Sequence, residues 1–326
     1  MSLLQRIFRH SENREGAAQA DPIIDRLVAA TDRRLSYMKG FRETLRAPVL
    51  AAHGRMREAV ARIPGPTEVS AKAWSDDTTV RALFARGTDV APAFSVDAGV
   101  RTFFDAHPAS DCIAMLGLEQ RERRVLASAL QGESVQAEVA RTTINFGNPQ
   151  ILAPGTDEAT VRAELVGRAL EFLALRALER VGAQRAERHE LEKERALLQA
   201  QHKLANQRGV GFGKLAAGAT PRADLERDLE RTVEELEQAS SRQLLPSLLD
   251  ELFAVLADPD PYLTIEPSTL SLDSMNFATE PGPGAITPRV AILRLVNRGP
   301  FAVLIARFPR AELRSDNRLA EAEKLL

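Results

Sequence analysis

The stretch NQRGVGFGK, from Asn206 to Lys214, holds the residue types that come closest to a phosphate-binding loop. Such a loop follows a buried strand and needs Gly, four residues and Gly-Lys, followed by Ser or Thr. Here Arg208 stands at the first glycine position, and Leu215 stands where a hydroxyl would hold magnesium. The dinucleotide-binding pattern G-x-G-x-x-G fails on the glycine spacing and on the charged helix that precedes it. We therefore predict a turn between two helices, and no cofactor.

Two cations and an aromatic side chain lie on this turn, at Arg208, Phe212 and Lys214. A tip of this composition can contact the phosphates and bases of a nucleic acid, or dock on a partner protein. The alternative, which the sequence favours, is a helix–helix connection whose glycines end one helix. We keep the three residues as the candidate interaction tip.

Residues for metal, acid–base and nucleophilic chemistry are dispersed along the chain. No two of the five histidines form an H-x-x-x-H or H-E-x-x-H pair, and no G-x-S-x-G motif is present. The single cysteine, Cys112, excludes an intrachain disulfide and a multi-thiolate zinc site. Because Cys112 precedes the apolar run 113–118, we expect a buried strand thiol rather than a nucleophile. We predict no catalytic, cofactor-binding or metal-binding residues, although a site assembled from distant residues stays open.

Composition and charge indicate the class of protein. The 326 residues are 44% hydrophobic and 27% charged, with a net charge of −2, as is typical of a soluble globular chain without a field that recruits nucleic acid. No segment has the ~18 apolar residues of a membrane span, and the N-terminus lacks a secretory signal, so the expected location is the cytoplasm. Apolar and basic side chains alternate at helical spacing over residues 1–10. Weak membrane contact by this segment is an alternative to a self-docked terminal helix, which we favour.

The pattern of residues 1–107 is helical. A short first helix is followed by a linker at GAAQAD, and a long helix starts at Pro22. Pro48 interrupts that helix, and IPGP at 63–66 ends its continuation. Two shorter helices are expected at about 76–86 and 97–106.

Two blocks of strand pattern follow, separated by a long helical region. The first block, 112–146, predicts three antiparallel strands at 112–119, 124–131 and 134–146, closed by GNPQ. The polar segment EQRER between the first two strands is interpreted as a solvated hairpin tip, with phosphate contact through its arginines as the alternative; a helix is the alternative for 124–131. The second block, 262–308, contains a clear hairpin, RVAILRLVNRGPFAVLIARF, turning at 297–299.

The helical region between these blocks predicts an antiparallel hairpin at about 185–243. From Leu165 to Val181, apolar residues cover a wide arc of the helix. Beyond Val181 they form only a narrow seam between charged residues, which is typical of a helix with one packing partner. Thr220 and Pro221 open the returning helix, and Pro246 precedes a further helix at 247–257. The candidate coiled-coil seam consists of Leu191, Leu198, Leu225, Leu229, Val233 and Leu236.

These elements predict an α+β fold. An antiparallel helical hairpin returns the chain near its start, so the second strand block should meet the first in a shared sheet or in two packed sheets. The expected division is an N-terminal helical region at 1–107, a mixed α/β core at 108–184 and 244–326, and the hairpin arm at 185–243. A final helix is expected at about 315–326.

Three functional hypotheses follow. The first is a non-enzymatic cytoplasmic interaction or scaffold protein that binds a protein partner through the helical hairpin and helix–helix contacts, and that can form a homo-oligomer. The second is a nucleic-acid-associated protein whose basic loop tips contact phosphates. The third is an enzyme whose site is dispersed along the sequence.

Overall fold

A computed structural model describes the backbone of residues 3–131, 134–206, 227–228, 230–232 and 244–314. Its side chains are described over 17–126, 140–199, 227–228, 230–232 and 245–314. Two compact units emerge: residues 1–50 with 171–257 form unit 1, and residues 51–170 with 258–326 form unit 2. The expected three-part division stays a prediction, and the terminal helix predicted at 315–326 lies outside the described residues.

The chain is α+β, as predicted. The α-helices with described bounds are α1 Leu3–Ala30, α2 Phe41–Ala61, α3 Ala71–Asp76, α4 Thr78–Leu83, α5 Val90–Ser95, α6 Ala98–Ala106, α7 Glu158–Asn206 and α8 Leu244–Ala257. The strands are β1 Thr67–Glu68, β2 Asp111–Gln131, β3 Ser134–Gly155, β4 Leu263–Pro267, β5 Ala291–Leu295 and β6 Phe301–Pro309.

One sheet of unit 2 contains both predicted strand blocks. Its order is β3-β2-β6-β5-β4, with antiparallel pairing throughout, and the short β1 pairs parallel to β6. The blocks join where β2 pairs with β6, from Asp111 opposite Pro309 to Glu119 opposite Phe301. The predicted meeting of the two blocks in a shared sheet is therefore confirmed, and so is the hairpin of β5 and β6.

The interpretation of EQRER as a turn is wrong. Residues 119–124 lie inside the continuous strand β2, where Glu119 pairs with Gly147 and Arg124 with Thr142. Pairing with β3 holds this polar segment extended, and its arginines and Glu122 stay exposed, so their charge carries no desolvation cost. Likewise β3 does not close at GNPQ but continues to Gly155, with a left-handed backbone at Asn148 (φ 49°) and Ala153 (φ 54°).

The predicted linker GAAQAD is also wrong, because it is helical within α1. Pro22 and Pro48 both lie inside helices rather than at their boundaries. Buried Ala20, Ile24 and Leu27 keep helical spacing across Pro22, so packing outweighs the local cost of proline. The break falls instead at residues 31–40.

The helix predicted at 76–86 is the shorter α4, and neither α3 nor α5 was predicted. Asp77 ends α3 and caps α4, because its Oδ1 accepts from the Thr79 N–H at 2.7 Å. A polar residue in mid-pattern thus stops one helix and starts the next. The helix predicted at 97–106 is present as α6, with Asp97 as its cap.

The core of unit 2 packs α3–α6 on one face of the sheet. Phe94 of α5 stacks on Phe308 of β6 with ring centroids 4.4 Å apart, and both are fully buried. The Trp74 indole N–H donates to the Phe84 carbonyl at 2.8 Å, which fixes α3 beside the end of α4. Helices thus cover the inner half of β2, where Cys112 and Leu116 are buried.

In unit 1, ion pairs link the helices. Arg42 of α2 pairs with Asp25 of α1, and Arg26 of α1 pairs with Glu171 of α7 at 2.6 Å. Their inward faces carry buried apolar residues at helical spacing, including Ile24, Leu27, Leu35, Leu45, Leu173, Ala177, Leu252 and Val255. The described part of unit 1 is therefore held by helix packing.

Arg162 on α7 binds the carboxyl end of α2. Its guanidinium donates to the carbonyls of Val60 (2.6 Å) and Ile63 (2.8 Å) and pairs with Glu158 one turn earlier. The Val60 carbonyl also accepts from the Ile63 N–H at 3.1 Å, so Arg162 adds a charged donor to both carbonyls, and its cation complements the helix dipole at this end.

Replacing Arg162 tests this contact. Arg162→Ala should lower the free energy of unfolding by about 2–3 kcal/mol, because two carbonyls lose a charged donor. Arg168→Ala is the matched control, since Arg168 pairs with Glu164 at the same spacing on the same helix and should cost about 0.3–0.5 kcal/mol. Urea unfolding of both variants measures the difference, and equal losses would contradict the capping role.

Candidate interaction surfaces

The second half of α7 leaves the buried core of unit 1. Val181 is the last buried residue of this helix among those with described side chains, and the helix continues to Asn206. At 1.5 Å per residue, the 25 residues after Val181 extend it by about 38 Å. We call residues 182–206 the outgoing limb.

A narrow seam runs along the outgoing limb. The residues from 182 to 199 that are half-buried recur at alternating intervals of four and three, and the residues between them are exposed; the half-buried set is Gln184, Arg188, Leu191, Arg195 and Leu198. This is the 3.5-residue repeat by which a helix packs along one partner helix. The structure therefore places Leu191 and Leu198 together on this seam, and it leaves their neighbour Leu197 59% exposed.

The other predicted site residues lie outside the described part of the chain. These are the seam positions Leu225, Leu229, Val233 and Leu236 and the tip residues Arg208, Phe212 and Lys214. The described residues of the returning segment, 227–228 and 230–232, are helical, and Thr232 is buried. The hairpin turn and the tip stay predictions.

Sequence reasoning missed the polar members of the seam. Gln184, Arg188 and Arg195 hold three of its five positions, and a search for apolar spacing passes over them. Long polar side chains can bury their stems along a seam while their heads reach water. Counting by alternate threes and fours from Val181 would have found all three.

A buried carboxylate fixes the root of the outgoing limb. Glu251 of α8 forms an ion pair with the Arg180 guanidinium at 2.7 Å and accepts a hydrogen bond from the Gln184 side-chain amide at 2.8 Å. Because Glu251 is only 8% exposed, its charge needs both partners. The contact places α8 beside α7 at the point where the limb leaves the core.

Short-range ion pairs lie along the limb. On the exposed flank Lys193 pairs with Glu190 at 2.7 Å, and Arg188 of the seam pairs with exposed Glu192 at 3.0 Å. The hydrogen bond from Lys193 holds the pKa of Glu190 below its usual range. Such pairs stabilise a solvated helix by tenths of a kcal/mol each and leave the flanks open to water.

A two-stranded ribbon is the second surface that extends from a core. Beyond Glu119, β2 pairs with β3 alone among the described strands, as far as Gln131 opposite Ser134. Residues 121–126 are all exposed, including Leu126 at 70%. We call 120–131 with 134–147 the β-ribbon.

One edge of the β-ribbon is held by the segment 273–278. The Ala278 N–H donates to the Thr142 carbonyl, and the Ile144 N–H donates to the Asn276 carbonyl, both at 2.8 Å. Arg141 pairs with Asp273 at 2.7 Å. The Arg141 guanidinium also lies 4.2 Å from the centre of the Phe277 ring. Backbone and charge contacts together anchor β3 at this edge.

Asp273 is the ionised group on which this anchor depends. Burial raises the pKa of Asp273, but three donors outweigh it: the Phe277 N–H at 3.0 Å, Arg141, and the Met275 N–H at 2.9 Å. The net pKa therefore lies below the usual range of an aspartate.

Among the described residues, Cys112, the arginines of 121–124 and the metal-ligating types lie in settings typical of structural side chains. Burial raises the pKa of Cys112 to about 12, which keeps the thiol protonated and disfavours its use as a nucleophile. Arg121, Arg123 and Arg124 are all exposed, and Arg121 pairs with Glu119 at 2.9 Å. In the ranges with described side chains, no three His, Cys, Asp or Glu residues group as metal ligands.

An open surface depression of about 390 Å³ is lined by Glu68, Lys72, Ala73, Asp76 and Asp77.

Comparison with known proteins adds no relative: no family model, no curated protein and no solved structure matches this chain. No helix in the described part of the chain has both the length and the apolar character needed to cross a membrane.

The seam makes a prediction about two adjacent leucines. Leu198→Ser should weaken packing along the limb and raise amide hydrogen exchange over 182–206, because Leu198 is half-buried on the seam. Leu197→Ser, at an exposed position of the same helix, changes helix propensity by the same amount and should leave exchange nearly unchanged. Equal exchange in the two variants would show that the seam packs against nothing.

The Asp273 anchor makes a prediction about pH. The pKa of Asp273 is lower in the folded protein than in the unfolded chain, where an aspartate has a pKa near 3.9. Ionised Asp273 therefore stabilises the fold above that pH, and this stabilisation is lost as the pH falls through the folded pKa. The free energy of unfolding should therefore fall more steeply between about pH 5 and pH 2 in the parent protein than in Asp273→Asn. Urea unfolding at a series of pH values measures this, with Asp260→Asn as a control at an exposed position. Identical slopes for parent and Asp273→Asn would contradict the anchor.

Proposed function

We propose that this protein is a non-enzymatic interaction or scaffold protein, which binds a partner protein through its helical arm. The observation that carries the proposal is the continuation of α7 beyond Val181 with a seam of 3.5-residue repeat. A helix that leaves its core and keeps only a narrow packing seam presents most of its surface outward.

The arm's packing supports a helix-based contact. Glu251 fixes the root of the limb through Arg180 and Gln184, so the limb starts from a defined direction. Exposed Leu197 lies beside Leu198 of the seam and offers an apolar contact on an otherwise charged flank. A limb that is fixed at its root and exposes a leucine among charged residues is suited to docking against another helix.

The charge balance of the arm favours a protein over a nucleic acid. Residues 182–199 contain four basic and four acidic residues, and neighbours of opposite sign pair with each other. Binding to phosphates draws on an excess of Lys and Arg, which this stretch lacks. A partner that packs on the arm needs no such excess.

The cytoplasm is the compartment that we propose. Cys112 is a free and buried thiol, and such a thiol persists without a partner in a reducing compartment. A scaffold with one protected cysteine is compatible with that setting.

The proposal is tested by capturing partners from lysates of native cells without cross-linking. The full chain is compared with a variant in which residues 185–243 are replaced by a short Gly/Ser link, at low salt and at ~0.5 M salt. The full chain should hold its partner at both salt concentrations, because apolar helix packing is little screened. The shortened chain should lose that partner.

A charge swap on the limb is the matched control. Glu190→Lys with Lys193→Glu keeps the net charge and the seam, and it should retain the partner. Circular dichroism confirms that the shortened chain keeps the fold of its remaining elements. If the shortened chain keeps every partner, the arm is not the docking element; steep loss by the full chain in salt would instead favour phosphate contacts.

A further inference from the structure

Among the described residues, no strand lies along the outer edge of β2 in the β-ribbon. The Gln120 N–H donates to the Pro300 carbonyl at 2.8 Å, which is the last backbone contact on the β6 side of β2 within the described chain. Backbone groups alternate in direction along a strand, so the N–H and C=O groups of Glu122, Arg124 and Leu126 also point to that side. In the described chain, no strand pairs with them.

The opposite edge of the ribbon confirms this direction. Thr142 and Ile144 of β3 oppose Arg124 and Glu122, and their outward groups bond the segment 276–278. Because Thr142 and Ile144 direct their backbone groups away from β2, their partners Arg124 and Glu122 direct theirs away from β3. One edge of the ribbon is covered by the chain's own backbone, and the donors and acceptors of the other edge have no backbone partner within the described residues.

We propose that this edge pairs with the same edge of a second copy of this chain. The two β2 strands would run antiparallel about a two-fold axis, joining two ribbons into a four-stranded sheet. This surface and this occupant are distinct from the helical arm of the proposed function.

The length of the free edge sets the register of this pairing. The edge extends from Arg121 to Gln131, because Gln120 is bound to Pro300 and β2 ends at Gln131. Full antiparallel overlap of this segment with itself sets Arg121 opposite Gln131 and Leu126 opposite its own copy. The backbone N–H and C=O of Leu126 point toward the second copy, so the central pair is a hydrogen-bonded pair. About ten backbone hydrogen bonds can form between the two strands.

The charges fit this register. All four charged residues of the edge lie in 121–124, and the segment 125–131 contains none. Full overlap therefore sets each charged residue opposite an uncharged one. A shift of two residues toward the sheet would set Arg124 opposite its own copy and drive the partner strand past Gln120 into β6. Like charges directly opposite destabilise a strand pair, so the charged half excludes this shift.

The central side chain is exposed as this pairing requires. Leu126 is 70% exposed, and Val125 beside it is 36% exposed. A leucine at a two-fold axis meets its own copy, and the pair buries apolar surface that water covers in a single chain.

The test uses full-length chains with a charge at the axis. Leu126→Lys and Leu126→Glu should each weaken self-association by about 10-fold, because like charges then meet across the axis. An equimolar mixture should recover association as a Lys–Glu heterodimer, and sedimentation velocity of each sample measures both effects. Recovery on mixing also shows that neither variant is unfolded.

A cysteine trap gives an independent measurement on nearly unchanged protein. Leu126→Cys should form a disulfide between two copies under mild oxidation, because opposite residues of a strand pair lie within disulfide range. Ser128→Cys is the matched control: its copies would be offset by four residues along the strands and should not cross-link. Buried Cys112 is present in both variants.

Three results would overturn the proposal. These are a parent protein that stays monomeric at all concentrations, self-association unaffected by either charge at 126, and equal cross-linking of the two cysteine variants. The second result would assign self-association to another surface, such as the helical arm.

Discussion

The pairing of β2 with β6 is the contact on which the rest of unit 2 depends. It joins residues 111–119 to residues 301–309, and the chain between them contains β3, α7, α8, β4 and β5. Closing so long a loop costs conformational entropy, and the buried inner half of β2 and Phe308 provide the apolar contacts that offset it. Once this register forms, β3 and β5 are fixed on either side.

The same pairing defines where the β-ribbon begins. Because β6 stops opposite Glu119, β2 continues with a partner on one side only. The helices of unit 2 cover the part of β2 that β6 flanks, and residues beyond it are exposed. The first half of β2 is thus a buried strand at the centre of the sheet, and residues 121–126 in its second half are exposed.

The elements that the sequence predicted correctly are those whose local pattern agrees with their packing. In β5 and β6, apolar runs meet at a short turn, so propensity and burial favour the same hairpin. The ribbon was missed because Arg121 to Arg124 are polar on both faces, and only pairing with β3 makes them a strand. The continuity of α1 through Pro22 likewise depends on tertiary packing, which overrides propensity.

The candidate surfaces were predictable to different degrees. Leu191 and Leu198 follow from apolar spacing, whereas Gln184, Arg188 and Arg195 enter the seam only through geometry. The edge of β2 could not be predicted, because nothing in the sequence says where β6 ends against it. Patterns within a segment are visible in a sequence, but the point at which one strand outlasts its neighbour is a property of the assembled sheet.

The outgoing limb has a consequence for how this protein can change over evolutionary time. Its root is fixed at Glu251, and no residue from 182 to 199 is buried. Substitutions at exposed surface positions usually change stability by less than about 0.5 kcal/mol, so changes at the exposed positions of the limb leave the folding of unit 1 nearly untouched. The limb can therefore diverge quickly, or be exchanged for a different hairpin, while the core that carries it stays the same.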